Sequence, residues 1–279
     1  MPRDTGFPRT DAEHDFLRAR RQAVLARLAH WLRREPDDVN MVLPFDEVVA
    51  ALGREGESRL GLRTIPLDSI VGSVDRKRDF DRRFRPSTGR VRERWERLAV
   101  AARRGEPIPP IEVYRVGELH FVSDGHHRVS VAHALGLESI DAYVTEVRTR
   151  LSAHGIRNRG DLITKDYRRV FLDRVPLADS ARAAITMTDP WGYAQLGEAV
   201  EAWGFRLMQD EGRFCDRASV ATRWYDEEYL PVVEMLREAD LIGTGTAAEA
   251  YLHIAAERYR LIRTHRWDDA VIEALKKRS

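Results

Sequence analysis

The stretch Phe121-Val122-Ser123-Asp124-Gly125-His126-His127-Arg128 decides the fold, because it is typical of a β-strand that turns at a glycine into a helix. Such a turn aims backbone N–H groups and the positive end of the helix dipole at one point, which favours an anion. Gly125 has no β-carbon and lets the backbone approach a ligand. Arg128 is suited to bidentate bonds with phosphate, and His127 to a further one. Asp124 is placed to hold a metal ion or to accept a substrate proton.

A simpler alternative for this turn is purely structural. Asp124 would then only cap the helix, and the two histidines would face solvent. Both interpretations predict the same backbone, a strand followed by a helix that ends at Gly136.

The residues around the turn predict a strand–hairpin–helix–strand unit. Its β-rich runs are Ile111–Val116, Leu119–Val122 and Ile140–Val144, and Gly117-Glu118 is a two-residue connection typical of a hairpin. Thr64-Ile65-Pro66-Leu67 predicts a further short strand, whereas the polar run from Gly53 to Arg59 is typical of a linker. This unit is the α+β part of the chain.

Both flanks of the unit are predicted to be helical. Helical spacing of apolar residues predicts helices over Asp11–Arg34, Phe45–Leu52 and Val91–Ala102. In the first of these, the apolar positions are Leu17, Val24, Leu25, Leu28 and Leu32. Beyond residue 150, the patterns predict a helix that follows Asp189-Pro190 and ends at Gly204, and another helix near Pro231. Thr246 and Glu249 form a capping-box pattern at the start of a further helix, and a last helix is predicted over Asp268–Lys277.

The predicted fold class is therefore α+β, with three parts. A helical arm occupies residues 1–60, a small mixed-sheet domain residues 61–148, and an all-helical domain residues 149–279.

Composition excludes several classes of protein. The chain has 279 residues, of which 43% are hydrophobic, and its mean hydropathy is −0.47. No run approaches the roughly 18 apolar residues of a membrane-spanning helix, and residues 1–15 lack a secretory pattern. Cys215 is the single cysteine, which excludes a disulfide scaffold and a cysteine-based zinc site. We therefore expect a cytoplasmic protein with no membrane partner.

The positive charge is concentrated in one segment. The net charge of the chain is +1, but residues 75–104 hold 12 basic and five acidic residues. Such a segment on a balanced protein indicates a phosphate-rich ligand, either a nucleotide or DNA. The alternative is a solvated, arginine-rich helix face.

The residues Asp124-Gly125-His126-His127-Arg128, together with Ile65-Pro66-Leu67-Asp68-Ser69-Ile70, resemble the ParB/sulfiredoxin superfamily. The resemblance covers roughly residues 63–148. It implies a mixed-sheet domain in which Gly125, His126, His127 and Arg128 bind nucleotide phosphates.

The branches of that superfamily differ in chemistry. Sulfiredoxins have a cysteine where this chain has His126, so sulfinate reduction is not expected. ParB partition proteins bind CTP and read DNA through a helix-turn-helix, for which the C-terminal region shows no convincing pattern. Free-serine kinases of this fold resemble the chain most closely. Their catalytic base corresponds best to Asp75, with an offset of about one position, and Asp68 stays open as an alternative.

These observations predict a nucleotide-binding protein that acts as a Mg²⁺-dependent phosphotransferase or NTPase. Its cofactors would be a nucleoside triphosphate or diphosphate (ATP, ADP or CTP) and Mg²⁺ held by Asp124, with Asp124 or Asp75 as the catalytic carboxylate. Its partners would be the nucleotide and a small-molecule phosphoryl acceptor. The competing hypotheses are a ParB-like regulatory or chromosome-partitioning-type protein that binds DNA through residues 75–104, and a degenerate fold that serves as a protein-interaction module.

Overall fold

The structure of the protein, a computed structural model, describes residues 4–34, 40–75 and 79–262, with side chains as far as residue 257. The chain divides into two compact units, Met1–Lys165 and Asp166–Ser279. It is a mixed α/β protein.

Unit 1 is built on one six-stranded mixed sheet with the order β1-β3-β5-β4-β6-β2. The strands are β1 (Leu43–Pro44), β2 (Arg54–Pro66), β3 (Ile70–Ser73), β4 (Ile111–Val116), β5 (Leu119–Asp124) and β6 (Ser139–Thr149). Strands β1, β3 and β5 run parallel to one another, and β4 pairs antiparallel with β5 through the predicted hairpin. Strand β6 lies between β4 and β2, parallel to the first and antiparallel to the second.

Four helices accompany the sheet of unit 1: α1 (Pro8–Leu32), α2 (Phe45–Leu52), α3 (Arg92–Arg103) and α4 (His126–Leu135). Helix α1 packs against α3 and α4. In their shared core the rings of Phe16 and Trp95 lie 5.5 Å apart, edge to face. The indole Nε1 of Trp95 donates a hydrogen bond of 2.8 Å to the Ser130 hydroxyl and so joins α3 to α4.

A buried ion pair fastens α1 to α3. The Arg103 guanidinium, of which 10% is exposed, pairs with the Asp15 carboxylate, of which 2% is exposed. A second carboxylate, Asp11, lies 3.8 Å from the same guanidinium. Arg18 also donates to Asp15, at 2.6 Å. Removing Arg103 would leave Asp11 and Asp15 with only part of their compensating charge, which is costly for buried carboxylates.

Unit 2 is helical wherever the structure describes its secondary structure. Helix α5 (Arg159–Arg174) crosses the boundary between the units, and α6 (Asp179–Ala184), α7 (Trp191–Glu211), α8 (Arg217–Trp224), α9 (Leu230–Glu238) and α10 (Ala247–Ile262) follow. A π-helical turn, Tyr225–Tyr229, joins α8 to α9. The core around it contains Trp224, Tyr229 and Tyr251, whose rings are 5.2 to 5.8 Å apart.

Several sequence predictions are confirmed. Strand β4 and helix α2 have the predicted bounds, and the helix after Gly125 ends before Gly136. The capping box also forms, because the Thr246 hydroxyl accepts a bond from the Glu249 amide and the Glu249 carboxylate accepts one from the Thr246 amide. None of the described helices combines the length and apolar character needed to cross a bilayer.

Other predictions differ from the structure. The proposed linker Gly53–Arg59 is largely strand β2, because its backbone pairs with β6, and the predicted domain border at residue 60 therefore falls inside a strand. The border at residue 148 falls within β6, whereas the compact units divide after Lys165. Gly204 does not end α7: a β-carbon there would lie 2.5 Å from Val220 Cγ1, so this glycine allows close packing of α7 on α8.

The helix at the N-terminus is present, but the face that it buries differs from the expectation. The buried residues of α1 include Ala12, Phe16, Ala19 and Ala23, whereas the five apolar positions that predicted the helix are exposed. The helix predicted over Asp268–Lys277 lies outside the described residues.

Candidate functional site

The predicted site residues lie at the carboxyl ends of two neighbouring parallel strands, β3 and β5. Ser73 is in register with Val122, and the Val74 amide donates to the Val122 carbonyl at 3.0 Å. Asp75 follows two residues later, in a bend at the same edge of the sheet as Asp124. Ligands of α/β sheets bind at such carboxyl ends, where the loops and helix N-termini converge.

The two candidates for the catalytic base lie at opposite ends of β3. Asp75 is exposed and follows the carboxyl end of β3. Asp68 lies in a short 3₁₀ turn before the amino end of β3, which is the opposite edge of the sheet. The geometry therefore favours Asp75 over Asp68 as a neighbour of Asp124.

Gly125 forms the sharp turn between β5 and α4. Its φ of +103° and ψ of 18° lie in a region that residues with a β-carbon rarely adopt. A β-carbon at this position would also lie 2.5 Å from Ile111 Cγ2 on strand β4. The turn thus requires glycine for two independent reasons, and both follow from the geometry of the backbone.

The first turn of α4 has the character of an anion site. The Gly125 carbonyl accepts the first bond of the helix, from the Val129 amide at 3.1 Å. The cap residue, Gly125, has no side chain with which to cap the helix. Because the first amides of a helix have no partner within it, those of His126, His127 and Arg128 form the positive end of α4.

Asp124 and Arg128 form an ion pair across this turn. One terminal nitrogen of Arg128 donates to Asp124, and the other donates to the Pro110 carbonyl and lies 3.5 Å from the Pro109 carbonyl. The Asp124 side chain is 60% exposed and that of Arg128 17%. Asp124 therefore pairs with Arg128 instead of capping the helix, and Arg128 ties the loop before β4 to the turn. A half-exposed pair of this kind is worth about 0–1 kcal/mol, so an incoming phosphate can replace the carboxylate.

The two histidine side chains are buried, so the structural alternative in which they face solvent is wrong. His126 Nε2 lies 2.7 Å from the Ser73 hydroxyl, which joins α4 to the end of β3. The ring of His127 meets that of Phe80 edge to face at 5.5 Å, and the ring of Phe84 lies 6.3 Å from that of His126. At the first turn of α4, these two histidines therefore offer a ligand their backbone amides and not their side chains.

Ser73 is a member of the site that sequence reasoning missed. It is fully buried at the last position of β3 and contacts His126 across the sheet edge. Its only signal in the sequence is a small polar residue at the end of an apolar strand, directly before Val74-Asp75.

The arginine-rich segment turns beside the site around a buried carboxylate. Asp81 accepts bonds from the Arg83 and Arg85 amides at 3.0 and 2.9 Å and from Arg85 Nε at 2.7 Å. Arg82 follows it, and burial lowers the pKa of its guanidinium while the Asp161 carboxylate opposes this shift. Phe80 and Phe84 hold this segment against the two histidines.

Part of the positive charge of residues 75–104 is balanced within the fold. Arg85 pairs with Asp81, Arg92 with Glu96 and Glu13, and Arg103 with Asp15. These carboxylates reduce the charge that the segment presents to an extended phosphate backbone.

Metal binding at this site would depend on the ligand as well as on the protein. Among the described residues no group of three or more His, Cys, Asp or Glu side chains forms a metal cluster. Mg²⁺ needs fewer protein ligands, since it is commonly held by one or two carboxylates together with substrate phosphates. The exposed carboxylate of Asp124 beside the first turn of α4 fits that requirement.

A scan against protein-family models gives no match to this chain, and comparisons with curated proteins and with solved structures give none either. The resemblance to the ParB/sulfiredoxin superfamily therefore stays a prediction that depends on the residues quoted for it.

Proposed function

We propose that unit 1 is a nucleotide-binding domain of the ParB/sulfiredoxin type and that the protein is a Mg²⁺-dependent phosphotransferase or NTPase. The observation that carries the proposal is the start of α4. There a glycine turn and the positive end of the helix meet at the edge of two parallel strands. ATP, ADP and CTP are the nucleotides that the proposal includes.

Phosphate binding would use the backbone of His126 and His127 and the side chain of Arg128. The Arg128 guanidinium already lies at the turn, held by the Pro110 carbonyl. Replacing Asp124 by a phosphate oxygen keeps a charge-assisted bond on the arginine and frees the carboxylate. Asp124 would then hold Mg²⁺, which neutralises charge on the phosphates when it is bound.

Asp75 is the carboxylate that would accept the proton. In phosphoryl transfer the acceptor hydroxyl, or water in an NTPase, forms a bond to the terminal phosphorus while the bond to the bridging oxygen breaks. The nucleoside diphosphate leaves when the donor is a triphosphate, and the monophosphate leaves when the donor is ADP, while the proton of the acceptor moves to Asp75. The exposure of Asp75 and its place behind the carboxyl end of β3, at the same sheet edge as Asp124, support this role.

The test is a thermal-shift panel of ATP, ADP, CTP and GTP with Mg²⁺ on the full chain. We expect one nucleotide to stabilise the wild type and Arg128→Ala to lose that stabilisation. Because Arg128→Ala also removes the tie to Pro110, Arg128→Lys serves as a second variant that keeps the charge and should retain part of the shift. Arg115→Ala, which breaks a comparable pair with Glu146 on the same sheet, should keep the whole shift.

Two results would overturn the proposal. One is the absence of a shift with every nucleotide, and the other is a shift that Arg128→Ala leaves unchanged. Steeply salt-dependent DNA binding without a nucleotide shift would instead assign residues 75–104 to a nucleic-acid partner.

A further inference from the structure

Helix α1 has two apolar faces, and only one of them is covered by the protein. Ala12, Phe16, Ala19 and Ala23 form the buried face. At 3.6 residues per turn the opposite face carries a second apolar set, which we call the outer ridge. Its residues are all exposed: Leu17, Val24, Leu25, Leu28, Trp31 and Leu32. The ridge is about 22 Å long at 1.5 Å per residue.

Arginines border the outer ridge on both sides. From Phe16 to Arg34 the chain has six arginines and no carboxylate. Helical spacing places Arg20 and Arg27 on one flank, Arg18 on the other and Arg21 within the ridge itself. Arg18 also pairs with the buried Asp15 at 2.6 Å. The acidic run from Glu35 to Asp38 follows in the sequence and lies outside the described residues.

This charge distribution decides which occupant the ridge fits. Pairing with a second copy through the same ridge would bring two arginine-rich borders together without carboxylates between them, which is unfavourable. An anionic surface complements the arginines, and an apolar layer beneath that surface accommodates the leucines. A convex ridge of this kind needs no preformed groove in its partner.

We propose that the outer ridge of α1 binds the anionic surface of a lipid bilayer. The leucines and Trp31 enter the boundary between headgroups and acyl chains, and the arginines contact the headgroups. The long arginine stems allow the charges to stay at that level while the helix lies flat. Surface binding needs no spanning helix, and it departs from the expectation of no membrane partner, which rested on the lack of a spanning segment.

The experiment is flotation of the full chain with vesicles of phosphatidylcholine alone or with about 30% phosphatidylserine. We expect binding only to the anionic vesicles, weakened by salt. Leu28→Gln with Trp31→Gln should weaken binding at least about tenfold by removing apolar contacts. The fluorescence of Trp31, obtained by subtracting the emission spectrum of Trp31→Phe from that of the wild type, should shift to shorter wavelength on binding.

The controls distinguish this surface from other exposed groups. Phe214→Gln, which removes an exposed aromatic side chain from unit 2, should leave vesicle binding unchanged. Arg20→Glu with Arg27→Glu should abolish the preference for anionic vesicles. Absence of vesicle binding would overturn the proposal, and so would binding that survives the ridge variants. Dimers that dissociate in the Leu28 and Trp31 variants, without vesicle binding, would assign the ridge to a contact between two chains.

Discussion

Replacing Gly125 by alanine tests whether the turn before α4 is built as the structure describes. At its φ of +103° a residue with a β-carbon is strained, by roughly 1–2 kcal/mol for left-handed backbone. The new β-carbon would also lie 2.5 Å from Ile111 Cγ2, in a fully buried part of the core. Overpacking of this kind costs about 1–3 kcal/mol, so the total loss of unfolding free energy is about 2–5 kcal/mol.

Gly136→Ala is the matched control for this substitution. Gly136 ends the same helix with a φ of +74°, but no atom lies within 4 Å of the position where its β-carbon would be. It therefore reports the backbone strain alone, about 1–2 kcal/mol. The excess for Gly125→Ala measures the contact with Ile111.

The assay is equilibrium unfolding in urea. Hydrogen exchange read by mass spectrometry assigns the transition to residues 1–165, because the two compact units can unfold separately. Combining Gly125→Ala with Ile111→Ala should cost less than the sum of the two single variants, since the second change removes the clashing methyl group. Equal losses for Gly125→Ala and Gly136→Ala, or strict additivity with Ile111→Ala, would refute the reasoning.

Two further predictions concern charged groups. Burial alone would raise the pKa of Glu249, but bonds from the Thr188 hydroxyl and from the Thr246, Thr188 and Asp189 amides lower it to about 2. The stabilisation by this carboxylate is present above its unfolded pKa and is lost as pH falls from about 4.5 towards 2. The free energy of unfolding of Glu249→Gln should thus be lower than that of the wild type by on the order of 1 kcal/mol at neutral pH, after allowance for solvent screening. The two free energies should converge near pH 2, and a difference that does not depend on pH would contradict this. For the buried cluster of Asp15 and Arg103, Arg103→Leu should lose up to about 3–5 kcal/mol in urea unfolding, since Arg18 alone then stays beside Asp15. The double variant with Asp15→Leu should recover part of this loss; a double variant as unstable as the single one would count against the buried charge of Asp15 as the cause.

Local patterns predicted the turn and helix of the candidate site well. Gly125, the apolar strand before it and Gly136 after it are all near neighbours in sequence, and their signals do not depend on distant residues. The contacts that complete the site are not local. Ser73 meets His126 across two strands, and Phe80 packs on His127, because the fold brings β3 and the arginine-rich segment to the same edge.

The face that α1 buries illustrates a different limit of sequence reasoning. The spacing of apolar residues predicts the helix. It does not tell which face is buried, because two apolar faces on one helix repeat with the same period. The larger residues, such as Leu28, dominate the pattern, whereas small alanines and Phe16 form the buried face. Only the packing of α1 on α3 decides between the faces.

Strand β2 was mistaken for a linker because its composition is polar. Its burial alternates weakly, since one neighbour, β6, supplies its pairing at the edge of the sheet. Two irregularities in register, near Arg54 and Arg59, further blur the alternation. An edge strand has little apolar signal to read, whereas the buried strands β4 and β5 have a strong one.

The place of β6 between β4 and β2 has a consequence for how the protein is made. On the ribosome, β2 emerges early, and its pairing partner β6 is synthesised only after α3, β4, β5 and α4. Closing the sheet of unit 1 is therefore a late event that joins distant parts of the chain, which slows folding. A hydrophobic β2 would be exposed to other nascent chains throughout that interval. The charged side chains of β2 disfavour its pairing with other chains before β6 is made, as they do for the edge strand of the folded sheet.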